Sequence, residues 1–180
     1  MGKKSRRMAL CGMMAALAVV VMLLGGVIPL ATFCCPMIAS LALLPILAEA
    51  GRKWTLMAYA AVAALSLMLC PDKEAALLFA FLGYYPALKP LLDGIKSRPL
   101  RIAAKLSVFN LAAGLMLLLI AFVLNMQAIV AEYAAMGIIG GIAFALLANV
   151  CMLMYDRMLL VMYVVYVRKL RPMLMGGRSM

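Results

Sequence analysis

The sequence predicts an all-α integral membrane protein with six transmembrane helices and with both the N- and C-termini cytoplasmic. Composition is the first observation behind this prediction. Of the 180 residues, 69% are hydrophobic and 13% are charged, whereas a soluble domain has about 45–50% apolar and about 25% charged residues. A water-soluble fold of this size could not bury so much apolar surface, so lipid is the expected solvent for most of the chain.

The second observation is the spacing of the apolar runs, each close to the ~20 residues that cross ~30 Å of hydrocarbon. They cover about residues 8–30, 34–50, 54–70, 74–92, 102–124 and 134–156. These runs use most of the chain, which we therefore treat as a single membrane domain over residues 1–180. A soluble catalytic or nucleotide-binding domain does not fit in what remains.

The third observation is the placement of the basic residues. With the N-terminus inside, Lys73 is the one basic residue outside, so 16 of the 17 Lys and Arg residues lie on the cytoplasmic side. Such a bias is the usual signature of membrane topology, and it predicts a multi-pass protein of the cell (cytoplasmic) membrane. Because the basic residues lie between apolar runs rather than on one patch, nucleic acid is not an expected partner.

Two runs predict irregular helices. Pro45 lies inside the second run and should kink that helix, because proline removes an intrahelical hydrogen bond. The last apolar stretch continues past Asp156 and Arg157 to Val167. Either the helix extends to residue 167 along the inner interface or into a partner, or one strongly tilted helix crosses the membrane.

The residue types argue against catalysis and metal binding. The chain has no histidine, and its five cysteines give no C-x-x-C spacing, so a zinc site is not expected. No nucleophile–base pair, carboxylate dyad or phosphate-binding glycine loop is present. We therefore expect no cofactor, no metal and no enzymatic activity.

Polar side chains in or beside the membrane runs are the candidates for solute binding, since such residues are costly in lipid. The predicted set is Thr32, Tyr84, Tyr85, Asn110 and Asn149. The alternative is that the two asparagines only link neighbouring helices, and that the tyrosines pack and hydrogen-bond to a neighbour.

Charged residues near the inner interface predict an ion pair. Asp156 is expected to pair with Lys89 or with Lys105, which would lower the cost of holding these charges near lipid. The alternative is that the basic side chains simply extend to the interface.

Small residues of the first helix predict a close helix contact. Cys11 and Ala15, and likewise Gly12 and Ala16, are spaced by four residues, so each pair shares a helix face and allows another backbone to approach. The neighbouring helix belongs either to the same chain or to a partner subunit.

The order of these features resembles a known family. A basic N-terminus leads into the segment Arg7-Met8-Ala9-Leu10-Cys11-Gly12-Met13-Met14-Ala15-Ala16-Leu17, and a helix ending at Ile28-Pro29 precedes a proline-containing second helix. This arrangement, clearest over residues 7–70, resembles the substrate-binding S components of energy-coupling factor (ECF) transporters.

The resemblance implies a subunit that binds a vitamin or similar small molecule and associates with a transmembrane coupling subunit and two ATPases. The coupling contact would be Cys11, Gly12, Ala15 and Ala16, and the absence of histidine argues against nickel or cobalt as the solute. A second hypothesis is a non-transporting membrane scaffold or accessory protein that binds a partner membrane protein.

Overall fold

A computed structural model describes residues 3–25, 32, 34–122 and 135–172. Every regular element among these residues is helical, as the composition predicts. The helices are α1 (Lys3–Gly25), α2 (Cys34–Leu41), α3 (Leu44–Glu49), α4 (Arg52–Leu69), α5 (Lys73–Leu82), α6 (Tyr85–Asp93), α7 (Arg98–Phe122) and α8 (Gly137–Val165), followed by a π-helical turn over Tyr166–Leu170. The predicted ends of the first helix, after Gly25, and of the fifth, after Phe122, lie outside the described residues.

Four segments are long and apolar enough to cross a membrane. They are Arg7–Gly25, Lys73–Asp93, Arg98–Ala121 and Gly137–Lys169. Their large side chains are widely exposed, and Ile138 and Ile139 of α8 are 84% and 86% accessible. Surfaces this apolar are stable only against lipid or other membrane helices, and the protein is therefore membrane-embedded.

The second predicted run is divided into α2 and α3, and the break falls at Ala42 and Leu43. Pro45 stands in the first turn of α3, where its missing N–H costs no hydrogen bond. A kink was expected at Pro45, and the chain instead ends one helix and begins another there. Cys34–Glu49 is accordingly a short apolar segment, while α4 begins on the basic pair Arg52 and Lys53.

The fourth run is likewise divided, into α5 and α6. Asp72 caps the N-terminus of α5, because its Oδ1 accepts a hydrogen bond from the Ala75 N–H at 3.1 Å. The two helices are separated at Gly83, where an added Cβ would lie 2.7 Å from the Phe79 carbonyl oxygen. Pro86, in the first turn of α6, could not have continued α5 without losing a backbone hydrogen bond.

The chain divides into two compact units, and the first consists of residues 1–91 and 157–180. In this unit α1 packs against α2, α3, α4 and α5. The shared core is built from fully buried apolar side chains, namely Ala18, Met22, Ala39, Leu43, Ile46, Val62 and Phe79. Ala18 and Ala39 in this core let helices approach closely, which suits the broken segments α2–α3 and α5–α6.

The second unit consists of residues 92–156. It contains the connector after α6, all of α7 and the part of α8 that ends at Asp156. Helix α8 continues without a break through Asp156 and Arg157, and its 29 residues correspond to a length of about 43 Å. This exceeds the ~30 Å hydrocarbon layer, so the helix either leaves the hydrocarbon or crosses it at a tilt.

Candidate functional site

The asparagines predicted for solute binding form one reciprocal pair. The Asn110 amide donates to the Asn149 carbonyl oxygen at 2.8 Å, and the Asn149 amide donates back at 3.2 Å. Each amide also donates at 2.8 Å to a carbonyl four residues earlier in its own helix, that of Leu106 or Ala145. Because a carboxamide has two N–H donors, all four donors are engaged and the geometry favours the helix-linking alternative.

Lys105 is the centre of an ion cluster that the sequence predicts in part. Its ammonium lies 2.8 Å and 3.0 Å from the two carboxylate oxygens of Asp156 and 2.6 Å from Asp93. The Lys105 side chain is only 6% exposed, against 13% for Asp156 and 34% for Asp93. Of the two partners expected for Asp156, Lys105 therefore forms the pair.

The contribution of Asp93 was missed by sequence reasoning. Asp93 directly follows the fourth predicted run, 74–92, and it is the one acid between Glu74 and Glu132 and lies among basic residues. That isolation is the signal that could have drawn attention to it. Lys89, the other expected partner of Asp156, is buried on α6 in the first unit, and its pairing with Asp156 stays a prediction.

The predicted tyrosines lie at the junction of α5 and α6. Tyr85 is 2% exposed and belongs to the buried side of α6, so it is a core residue. The Tyr84 ring meets the ring of Tyr59 edge-on, with 6.1 Å between centroids. Tyr59, which sequence reasoning did not select, also donates its hydroxyl to the Ala80 carbonyl near the end of α5.

Thr32, the remaining solute-binding candidate, hydrogen-bonds to the cap of α5. Its hydroxyl donates to Asp72 Oδ2 at 2.8 Å, while the other carboxylate oxygen of Asp72 caps the helix. The candidates are therefore divided: Thr32, Tyr84 and Tyr85 belong to the first unit, and Asn110 and Asn149 to the second.

The four predicted partner-contact residues separate into two pairs. Cys11 and Ala15 are half-buried and pack against the core of the first unit. Gly12 and Ala16 are exposed on the other side of α1, and a Cβ added to Gly12 would meet nothing within 4 Å. The small-residue pattern of α1 thus serves both an internal contact and an open face.

The first unit contains an ionic contact that the sequence does not predict. The Arg171 Nε lies 2.9 Å from Oε1 of Glu49, whose side chain is 6% exposed. Three residues after Glu49, the Arg52 Nε donates a hydrogen bond to the Ala87 carbonyl at 3.2 Å. The sequence places Glu49 at the end of the second predicted run but gives no indication that a residue so far along the chain reaches it.

Comparisons of the chain with protein-family models, curated proteins and solved structures find no match.

Proposed function

We propose that this protein is a membrane-embedded, solute-binding subunit of the S-component kind, which works with an ECF-type coupling subunit and its ATPases in the uptake of a vitamin or similar small molecule. The observation that carries the proposal is the division of α1 into a packed face and an open small-residue face. The resemblance to S components leads us to expect a coupling contact on this helix.

The packed face of α1 includes Ala18 and Met22, which are fully buried in the core. The open face includes Gly12 and Ala16, together with the exposed side chain of Met13. In lipid, helices associate mainly by close van der Waals packing, which small residues permit. A glycine with open space above its Cα is therefore well suited to receive a helix from another subunit.

The six-span topology with both termini inside is part of the same proposal. Its six spans are the four long apolar segments, α4 and the broken segment α2–α3. The distribution of 16 of 17 basic residues supports this arrangement, because removing one crossing would place basic clusters on both sides.

The outer end of the first unit is the expected solute side. Under this topology the Thr32–Asp72 hydrogen bond lies there and holds Thr32 beside the start of α5. We propose that Thr32 contributes to the solute site on this side. The buried Tyr85 and the engaged Asn110 and Asn149 support the fold rather than contact the solute directly.

The energy for uptake would come from partner ATPases, as the resemblance to S components implies. We propose no enzymatic activity for the chain itself. Affinity purification from native membranes tests this view. Recovery of a coupling subunit with ATPases supports it, and recovery of the protein without either contradicts it.

A second candidate function is a non-transporting scaffold or accessory subunit. The specific observation in its favour is the Asn110–Asn149 pair, because predicted solute-binding amides instead satisfy one another. Mass spectrometry of small molecules released from the purified protein separates the two functions. A stoichiometric solute supports transport, and a partner without any solute supports the scaffold.

A further inference from the structure

One end of the first unit gathers basic side chains beside an apolar helix surface. We propose that this end binds the headgroup of an anionic phospholipid. The basic rim consists of Arg52, Lys53, Arg168, Lys169 and Arg171. Its placement in the inner leaflet rests on the orientation proposed above, whereas its chemistry rests on the contacts described below.

The Glu49–Arg171 ion pair holds one residue of the basic rim, Arg171, in place. The Arg171 Nε contacts the largely buried Glu49 carboxylate at 2.9 Å, while half of the Arg171 side chain remains exposed. The π-helical turn positions the Arg171 backbone, because the Arg171 N–H donates to the Tyr166 carbonyl five residues earlier. This turn packs on α3, which ends at Glu49, three residues before α4 begins at Arg52.

The charge of the rim is strongly unbalanced. Lys53, Arg168 and Lys169 are exposed, and Glu49 is the one acid in the segments 44–57 and 157–172. That acid is already paired with Arg171. The remaining positive charge attracts an anion, and phosphate oxygens are well matched to guanidinium and ammonium donors.

The neighbouring surface is apolar, which favours a lipid over a soluble anion. Trp54 and Met57 are 46% and 65% exposed on α4, directly after Arg52 and Lys53. Met162 and Val165 are 42% and 37% exposed on α8, directly before the π-helical turn. A basic end continuous with an apolar side fits a molecule with an acidic headgroup and acyl chains.

Native mass spectrometry of the purified full-length protein in detergent tests the proposal. The protein is titrated with phosphatidylglycerol and, separately, with phosphatidylcholine of the same acyl chains. We expect stronger retention of phosphatidylglycerol by the unmodified protein. In an Arg168→Gln/Lys169→Gln variant this preference should fall at least tenfold, because each basic residue removed weakens binding about fivefold.

Lys96→Gln/Arg98→Gln is the matched control, since it removes two exposed basic residues just before and at the start of α7, in the other unit. It should change the preference less than twofold. Lys53→Gln is a second test variant in case the C-terminal variant does not fold, and it should lower retention about fivefold.

Equal retention of the two lipids overturns the proposal, as does an equal loss in the test and control variants. Displacement of phosphatidylglycerol by millimolar inorganic phosphate also overturns it, because the site would then bind a free anion. These outcomes are independent of the transport proposal, since the measurement involves no partner subunit and no membrane orientation.

Discussion

The carboxamides of Asn110 and Asn149 exchange two hydrogen bonds, of 2.8 Å and 3.2 Å, between the middle turns of α7 and α8. The two residues are 39 positions apart in sequence. In lipid an unpaired amide finds no water, so each asparagine depends on the other. The pair therefore sets the register of the two helices within the second unit.

Replacing either asparagine by leucine should destabilise the protein. Interhelical hydrogen bonds of this kind contribute about 0.6 kcal/mol each, and two are lost. We expect a coupling energy of about 1 kcal/mol between Asn110→Leu and Asn149→Leu in a double-mutant cycle, measured from unfolding free energies in detergent. Ser107→Ala, at an exposed position of α7, is the control. A coupling energy of zero would contradict the structural role.

The two aspartates around Lys105 should differ in importance. Asp156 contributes two contacts and is 13% exposed, whereas Asp93 contributes one contact and is 34% exposed. Solvent screens the more exposed pair. Asp156→Asn should therefore lower the free energy of unfolding more than Asp93→Asn does, and the opposite order would show that the Asp93 contact dominates.

Removing the lysine itself should be the most damaging single change in this cluster. Lys105→Met leaves two carboxylates together without their cation, and the loss of one partner of a buried pair costs about 3 kcal/mol. The triple variant Asp93→Asn/Lys105→Met/Asp156→Asn should recover most of this loss, because no uncompensated charge remains. Thermal unfolding in detergent measures both effects, and a triple variant less stable than Lys105→Met would refute the electrostatic account.

The Tyr59 hydroxyl should stabilise the end of α5. It donates to the Ala80 carbonyl, three residues before the helix break at Gly83. Tyr59→Phe removes only the hydroxyl and should lower the free energy of unfolding by about 1 kcal/mol. Tyr163→Phe, on the exposed surface of α8, should leave stability unchanged. Equal effects of the two substitutions would show that the Ala80 contact is unimportant.

A side chain at Gly83, in the break between α5 and α6, should lower the stability of the protein. A Cβ there would lie 2.7 Å from the Phe79 carbonyl oxygen and 2.9 Å from its ring. Gly83→Ala should cost about 1–3 kcal/mol through overpacking. Gly114→Ala is the matched control, because a Cβ at Gly114 has nothing within 4 Å, and it should be neutral or slightly stabilising. Similar unfolding temperatures for the two variants would contradict the proposed close packing.

The helical class and the approximate bounds of the helices could be predicted from the sequence, because apolar runs and proline positions act locally. Pro45 indicates that the second run is irregular, although the structure divides this run in two where the sequence predicts a kink. The asparagines and Lys105 could be selected as costly polar groups in lipid. Their partners could not all be assigned, since Asp93 and Arg171 are brought to their contacts by tertiary packing that no local pattern encodes.

We propose that the open face of α1 docks to a coupling subunit, and Gly12→Leu would place a bulky side chain on that face. Tagged unmodified protein, Gly12→Leu and Gly114→Leu are purified from native membranes, and the coupling subunit and ATPases recovered with each are quantified. Both glycines have open space at Cβ, so neither substitution should disturb the fold. We expect at least a tenfold loss of partners for Gly12→Leu, equivalent to about 1.4 kcal/mol of lost contact, and an unchanged yield for Gly114→Leu. Equal recovery from all three proteins would contradict it.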